Sequence, residues 1–210
     1  MERTAMAATV LGLAAILGGC GGSHHTAVTA PTTTPQATAA TTTSTTTASG
    51  PAALQAEANA AAAGDIPDNQ VILVFHNARA GYSIKYPEGW AQQGVGKSVV
   101  FRDKNNIVRI DVGSRPAPTV GTIAHELRRL KGAHVVSAPQ PMQLAGSRAY
   151  KVVYSTQSAP NAVTGKRVTL VVDRYYIAAG SRRAVVDLGT PQGVDNVDAY
   201  RLMIESFRWR

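Results

Sequence analysis

The sequence predicts an α+β fold, and three observations carry that expectation. From Asp65 onward, apolar and polar residues alternate with period two in successive segments rich in Val, Ile and Tyr. Only two stretches, near 119–130 and 195–207, carry helical spacing instead. The strand segments also follow one another in runs, rather than alternating with helices as βαβ units do. Seven or eight strands and two main helices are expected.

Taken in order, Val71–Phe75 reads as a strand. Tyr82–Tyr86 alternates and stops at Pro87, where Glu88-Gly89 supplies a turn and Trp90 plugs the end of the sheet. Ser98–Arg102 and Ile107–Val112 form a hairpin around Asp103–Asn106. In its second arm Ile107, Arg109 and Asp111 oppose Val108, Ile110 and Val112, which gives a polar and an apolar face. Thr119 caps a helix whose stripe is Val120, Ile123, Leu127 and Leu130, and Gly132 ends it. A short Val135-Val136 segment and a Pro-containing loop come next. Arg148–Thr156 is a strand with Tyr150, Val152 and Tyr154 on one face. Arg167–Ala178 and Arg183–Leu188 pair around Gly180-Ser181. Asp195–Phe207 closes the chain as a helix with Val197, Tyr200, Ile204 and Phe207 in register, capped by Asp195 or Asp198.

Two ends of this region resemble a known family. Phe75 with Gly81-Tyr82-Ser83-Ile84-Lys85-Tyr86-Pro87-Glu88-Gly89-Trp90, and the ending Glu205-Ser206-Phe207-Arg208-Trp209, are similar to the opening and closing motifs of PsbP-like domains. The resemblance covers most of 71–210. It implies an α/β/α sandwich with a central antiparallel sheet. The family includes a photosystem subunit, a nuclear-transport factor that binds a small GTPase, and many bacterial lipoproteins. It offers no shared catalytic residues. The photosystem role depends on an N-terminal binding region that this chain replaces with a Thr-rich tract, so the resemblance implies the fold and not that role.

The N-terminal third has a different character. All twelve aromatic residues lie at or after Phe75, and half of Thr26–Ser49 is Thr. Ala5–Leu17 is an apolar run shorter than the roughly 20 residues a bilayer span needs, and has the length of a secretory signal core. Leu17-Gly18-Gly19-Cys20 then resembles the bacterial lipobox, in which the cysteine thiol is acylated and becomes the first mature residue. Residues 1–19 are thus expected to be a lipoprotein signal peptide. Residues 20–64 are expected to be a lipidated Cys20 followed by a disordered Thr/Ala/Pro-rich stalk, with a reach on the order of 35–40 Å. Residues 65–210 are the globular domain. Cys20 is the chain's one cysteine, which excludes an internal disulfide and a cysteine-based zinc site.

No catalytic constellation stands out. His125-Glu126 would begin an H-E-x-x-H zinc motif, but the second histidine position is Arg129. Gly94–Ser98 lacks the first glycine of a phosphate loop, and no G-x-S-x-G elbow occurs. His125 reads as solvated, and His76 and His134 as partly buried structural residues. No metal, cofactor or nucleic-acid partner is expected. Residues 65–210 carry 20 Lys and Arg against 11 Asp and Glu, a net charge of +9. Arg128, Arg129 and Lys131, with Arg182 and Arg183, are candidate contacts to an anionic surface, where a well-placed basic residue contributes about 1 kcal/mol. Asp111, Asp173 and Asp187 are expected to meet arginines. These features predict a non-enzymatic, membrane-anchored lipoprotein on the extracytoplasmic face, acting as a binding or scaffolding module for an envelope protein or anionic polymer. The alternatives are a small-ligand or lipid carrier with a pocket between helix and sheet, or an envelope hydrolase. Cys20→Ser in a bacterial host should abolish acylation, seen as a change in mature mass, and should move the protein from the membrane to the soluble fraction. Unchanged mass and partition would overturn the lipid anchor.

Overall fold

The computed structural model describes residues 54–55, 63–161 and 163–210. The signal, the lipobox residues Leu17, Gly18 and Gly19, Cys20 and nearly all of the tract to Gly64 lie outside the described residues. Among the described residues from 64 onward, ten strands and two helices follow in order: β1 (Ile72–Asn77), β2 (Tyr82–Pro87), β3 (Ala91–Gln93), β4 (Ser98–Asp103), β5 (Asn106–Ser114), α1 (Val120–Arg128), β6 (His134–Leu144), β7 (Ser147–Gln157), β8 (Thr169–Ala179), β9 (Arg182–Pro191), α2 (Val197–Glu205) and β10 (Arg208–Trp209). None of the described helices is long and apolar enough to cross a membrane.

The strands form a seven-stranded sheet, ordered β3-β4-β5-β9-β8-β7-β6, and a three-stranded sheet, ordered β1-β2-β10. Every pairing is antiparallel. The large sheet buries side chains on both faces. On one face Val99, Phe101, Val108, Ile110, Ala184, Val186 and Leu188 pack with Tyr82 and Ile84 of β2 and with Tyr200, Met203 and Ile204 of α2. On the other, Ile107, Val152, Tyr154, Leu170, Val172, Tyr176 and Val185 pack under Ile123 and Leu127 of α1. With one helix on each side, the predicted α+β sandwich around an antiparallel sheet is the observed architecture.

The differences from the sequence reading have physical causes. The region read as Val135-Val136 plus a loop is the eleven-residue β6. Its prolines are tolerated because β6 is an edge strand, with β7 on one side and no ladder to feed on the other. Two register shifts, between Val135 and Gln140, accommodate the irregular stretch. Thr119 caps α1 as expected, in a reciprocal pair with Thr122, and Gly132 takes a positive φ beyond it. The cap of α2 is Asn196, flanked by Asp195, whose carboxylate accepts from the Val197 N–H at 3.2 Å. Val120 and Val197, the first members of both predicted stripes, are exposed. A helical side chain leans toward the N-terminal end, so first-turn residues overhang the edge of the face they begin. His76 and His134 are likewise exposed rather than partly buried. Trp90 is buried against the first core, as its place after the turn predicts.

A buried polar knot ties the N-terminal edge of the domain to α2. The Asn196 side chain accepts from the Ile66 N–H at 2.8 Å and donates to Thr190 Oγ1 at 2.8 Å and to the Gly64 carbonyl at 3.1 Å. Asn106, the first residue of β5, also donates to the Gly64 carbonyl. A glycine in the central strand completes the packing. A Cβ on Gly189 would sit 2.7 Å from Ile107 Cγ2 and 3.3 Å from Val172 Cγ2. Those side chains therefore close over the strand only because position 189 is empty. Gly189→Ala should lower unfolding stability by about 1–3 kcal/mol through overpacking, read as a lower urea midpoint at unchanged slope.

Candidate functional site: a cationic cleft beside the first helix

The α1-facing side of the sheet is not wholly covered. Helix α1 rises only about 13.5 Å over its nine residues, whereas an eleven-residue strand beneath it runs about 36 Å. Beyond the C-terminal end of α1 a cleft of 290 Å³ remains open. Its floor is Ile107, Leu170 and Val172, with Leu130 of the loop after α1 along one side. Arg102, Arg109, Lys131, Arg174 and Asp187 supply its charge, and Tyr154, Thr156, Gln157 and Ser158 its neutral polar groups. The lining thus holds four cations and one anion.

Strand register explains how these groups meet. Arg109 of β5 stands opposite Asp187 of β9, and Asp187 stands opposite Arg174 of β8. A basic–acidic–basic row therefore crosses three neighbouring strands. Asp187 commits both carboxylate oxygens to Arg174, accepting from Nε at 2.6 Å and from Nη2 at 2.7 Å, and both side chains are buried. Burial disfavours a charge on Arg174, but the bidentate bond outweighs it and holds the guanidinium more firmly protonated than usual. The cation also lies 5.2 Å from the Tyr154 ring and 5.9 Å from the Tyr176 ring. Tyr154 is pushed up to about 12, chiefly by burial and then by the Asp187 charge, so it stays a neutral phenol.

Arg109 is left without an acid. Among the described residues neither Arg109 nor Arg102 makes a side-chain hydrogen bond or an ion pair. The Arg102 pKa is lowered by burial and then by the like charge of Arg109. Two half-buried guanidiniums that destabilise one another make a site whose electrostatics improve when an anion enters.

The five basic residues singled out in the sequence do not form one patch. Arg128 and Arg129 are exposed at the end of α1, where cations complement the helix dipole. Lys131 lines the cleft. Arg182 lines a different cavity. Arg183 is corrected outright: it is 4% exposed and paired with Glu126 of α1, so it pins the helix to the sheet and reaches no surface. Adjacent strand residues point to opposite faces, which separates Arg182 from Arg183. Of the three acids expected to meet arginines, Asp187 does so. Asp173 instead pairs with Lys151 at 2.6 Å, and Asp111 makes no ion pair among the described residues. The central cleft residues Arg102, Arg109 and Arg174 were not singled out. The signal available for Arg109 was its place on the polar face of β5, a face that turns toward α1.

A larger groove of 630 Å³ is lined by Asp65, Asp68, Asp195 and Asp198 with Ile66, Ile72 and Leu202. Asp198 there is bound to Arg201. Among the described residues no three His, Cys, Asp or Glu side chains converge as a metal site.

No protein-family model matches the sequence, and no curated protein matches it. The chain is similar to a number of solved structures, three of which follow. One is the cyanobacterial PsbP protein (CyanoP) of Synechocystis, at 15% identity and TM-score 0.47, covering 70% of this chain and 98% of that one. Another is the Saccharomyces cerevisiae Ran-binding protein Mog1p, at 11% identity and TM-score 0.44, covering 67% and 96%. The third is LpqN of Mycobacterium tuberculosis, described as involved in cell envelope biogenesis, at 17% identity and TM-score 0.38, covering 67% and 91%. All three scores fall below 0.5.

The buried pair has a measurable signature. Asp187→Asn strands the Arg174 charge in a buried site and should cost about 3–5 kcal/mol of stability. Replacing both partners, Asp187→Leu with Arg174→Met, should cost much less. Denaturant unfolding of the two variants checks the contrast, and equal losses would mean that shape rather than charge holds the site together.

Proposed function

We propose that the protein is a non-catalytic binding module of the cell envelope, tethered through a lipid on Cys20, whose α1 cleft receives a small amphipathic anion. The observation that carries the reading is the couple Arg102–Arg109, unpaired among the described residues, beside an apolar floor of Ile107, Leu170 and Val172. The guanidiniums match a phosphate or carboxylate head, and the floor suits a short hydrocarbon. The volume lies near the lower end of ligand pockets, which hold roughly 300–1,000 Å³. The cleft lining contains no histidine or cysteine, and its one carboxylate is committed to Arg174. The groups on hand therefore suit holding an anion better than moving a proton, which favours binding over hydrolysis.

The tether comes from the lipobox-like Leu17-Gly18-Gly19-Cys20 and the low-complexity tract behind it. It would keep the basic domain within reach of anionic headgroups and envelope polymers. The exposed Arg128 and Arg129 at the cleft end of α1 would add attraction at long range.

Calorimetric titration of the full chain carrying Cys20→Ser with octyl phosphate, below its micellar concentration, tests the cleft. Saturable one-site binding is expected, with uncharged octyl glucoside inert. Arg102→Gln with Arg109→Gln should weaken binding at least tenfold without lowering stability. Equal affinity in the double variant, or no saturable binding in the parent, would overturn the reading.

A further inference from the structure

A second concave site lies on the other face of the large sheet. Arg182, at the start of β9, lays its guanidinium over the Trp209 ring at 4.7 Å and reaches the Arg210 carbonyl at 3.4 and 3.5 Å. Beside it is a cavity of 370 Å³. Four separate parts of the chain each send one cation to its lining: Arg79 from the β1–β2 turn, Lys97 from the β3–β4 loop, Arg182 from the β8–β9 hairpin, and Arg210 after β10. No Asp or Glu side chain lines it, and the remaining lining residues are Ala78, Ala80, Gly81, Val112, Gly113 and Ser114.

The arrangement is built rather than accidental. Gly81 takes φ +67°, and a Cβ there would stand 2.6 Å from Arg182 Nη1 and 3.0 Å from the Arg210 carbonyl. A side chain at this position would push the guanidinium off its ring. The neighbouring turn is fastened by Asn77, which accepts from the Ala80 N–H at 3.0 Å and donates to the Gly96 carbonyl at 2.7 Å. This holds the Arg79 turn against the loop that carries Lys97. Arg210 is tied in by its own N–H, which donates to the Gly81 carbonyl at 2.8 Å. Basic side chains brought to one concavity repel one another, and a multiply charged anion offsets that cost.

We propose that this cavity is an oxyanion site for a phosphate group, carried either by a soluble phosphate or by the headgroup of an anionic lipid. Four of its ten lining residues are basic, and in place of the Ile107, Leu170 and Val172 floor of the α1 cleft it has only Ala78, Ala80 and Val112, so it selects for the head and not for a tail. The two sites lie on opposite faces of the large sheet and share no lining residue.

Trp209 is the reporter, because Arg182 rests on its ring while Trp90 lies in the core away from the cavity. The full chain with Cys20→Ser, labelled with ¹⁵N at the indoles, is titrated with inorganic phosphate against sodium chloride at matched ionic strength. A parallel series uses phosphatidylglycerol vesicles against phosphatidylcholine vesicles. The Trp209 indole resonance should move or broaden saturably while Trp90 stays still. Response to phosphate identifies a soluble source. Response to phosphatidylglycerol vesicles alone identifies a headgroup. Arg79→Gln and Lys97→Gln, which leave the Trp209 stack intact, should each weaken the response about tenfold, and Arg109→Gln should leave it unchanged. A flat Trp209 signal in both series, an equal response to chloride, or full binding by both variants would overturn the proposal.

Discussion

The constraint on which the rest depends is that β8 and β9 are buried on both faces. Their side chains alternate between two hydrophobic cores, Tyr175, Ile177, Val186 and Leu188 toward one and Leu170, Val172, Tyr176 and Val185 toward the other. An antiparallel sheet usually leaves one face wet. This one requires a cover on each side. The three-stranded sheet and α2 supply the first cover, through Tyr82, Ile84, Met203 and Phe207. The second cover is α1 alone, nine residues long, over a sheet about 29 Å wide between its outer strands. One short helix cannot roof that area. The uncovered remainder therefore has to be lined by polar side chains, and this is where the half-buried Arg102 and Arg109 stand, beside the buried Arg174–Asp187 pair.

The energetics of that remainder follow from a shortage of acids. One carboxylate faces two guanidiniums across the register, and geometry decides in favour of Arg174, which takes both oxygens. Replacing the Arg174–Asp187 pair with apolar residues could serve stability equally well, because desolvation consumes most of what a buried ion pair gains. Keeping it, with Arg109 beside it unmatched, creates field in the cleft. Gly189 acts in the same place through absence. By letting Ile107 and Val172 close over the central strand, it provides the apolar floor next to the charge.

The architecture was legible where local chemistry and tertiary burial agree. Thr119 and Gly132 bracket α1, Pro87 stops β2, and the alternation in β4, β5, β8 and β9 fits their two-sided packing. It was illegible where a strand sits at an edge and need not obey the pattern. The prolines of β6 argued for a loop because their cost in a ladder was assumed, and at an edge that cost is not incurred. Very short strands such as β3 and β10 carry too few residues to show a period. The cleft was half visible. Polar alternation in β5 marks a face, but nothing local says whether that face meets solvent or a helix. Lys131 was noticed for its charge on a helix, whereas its place in the site is set by the loop that follows.

The net charge of +9 on residues 65–210 takes on a different meaning once its members are placed. A uniform basic skin would attract any polyanion, and salt would screen it within about 8–10 Å. Here adjacent residues of one strand already divide the charge. Arg183 is spent on Glu126 inside the protein, while Arg182 faces a cavity on the other side. What is left gathers in concave places with low-dielectric walls, where a field is stronger and less screened than on a convex surface. A concavity also imposes shape, because an anion must fit between its cations to gain from all of them. Under the proposed reading, the excess of Lys and Arg would favour selection by size and headgroup over general stickiness, and the exposed Arg128 and Arg129 would serve to bring ligands near.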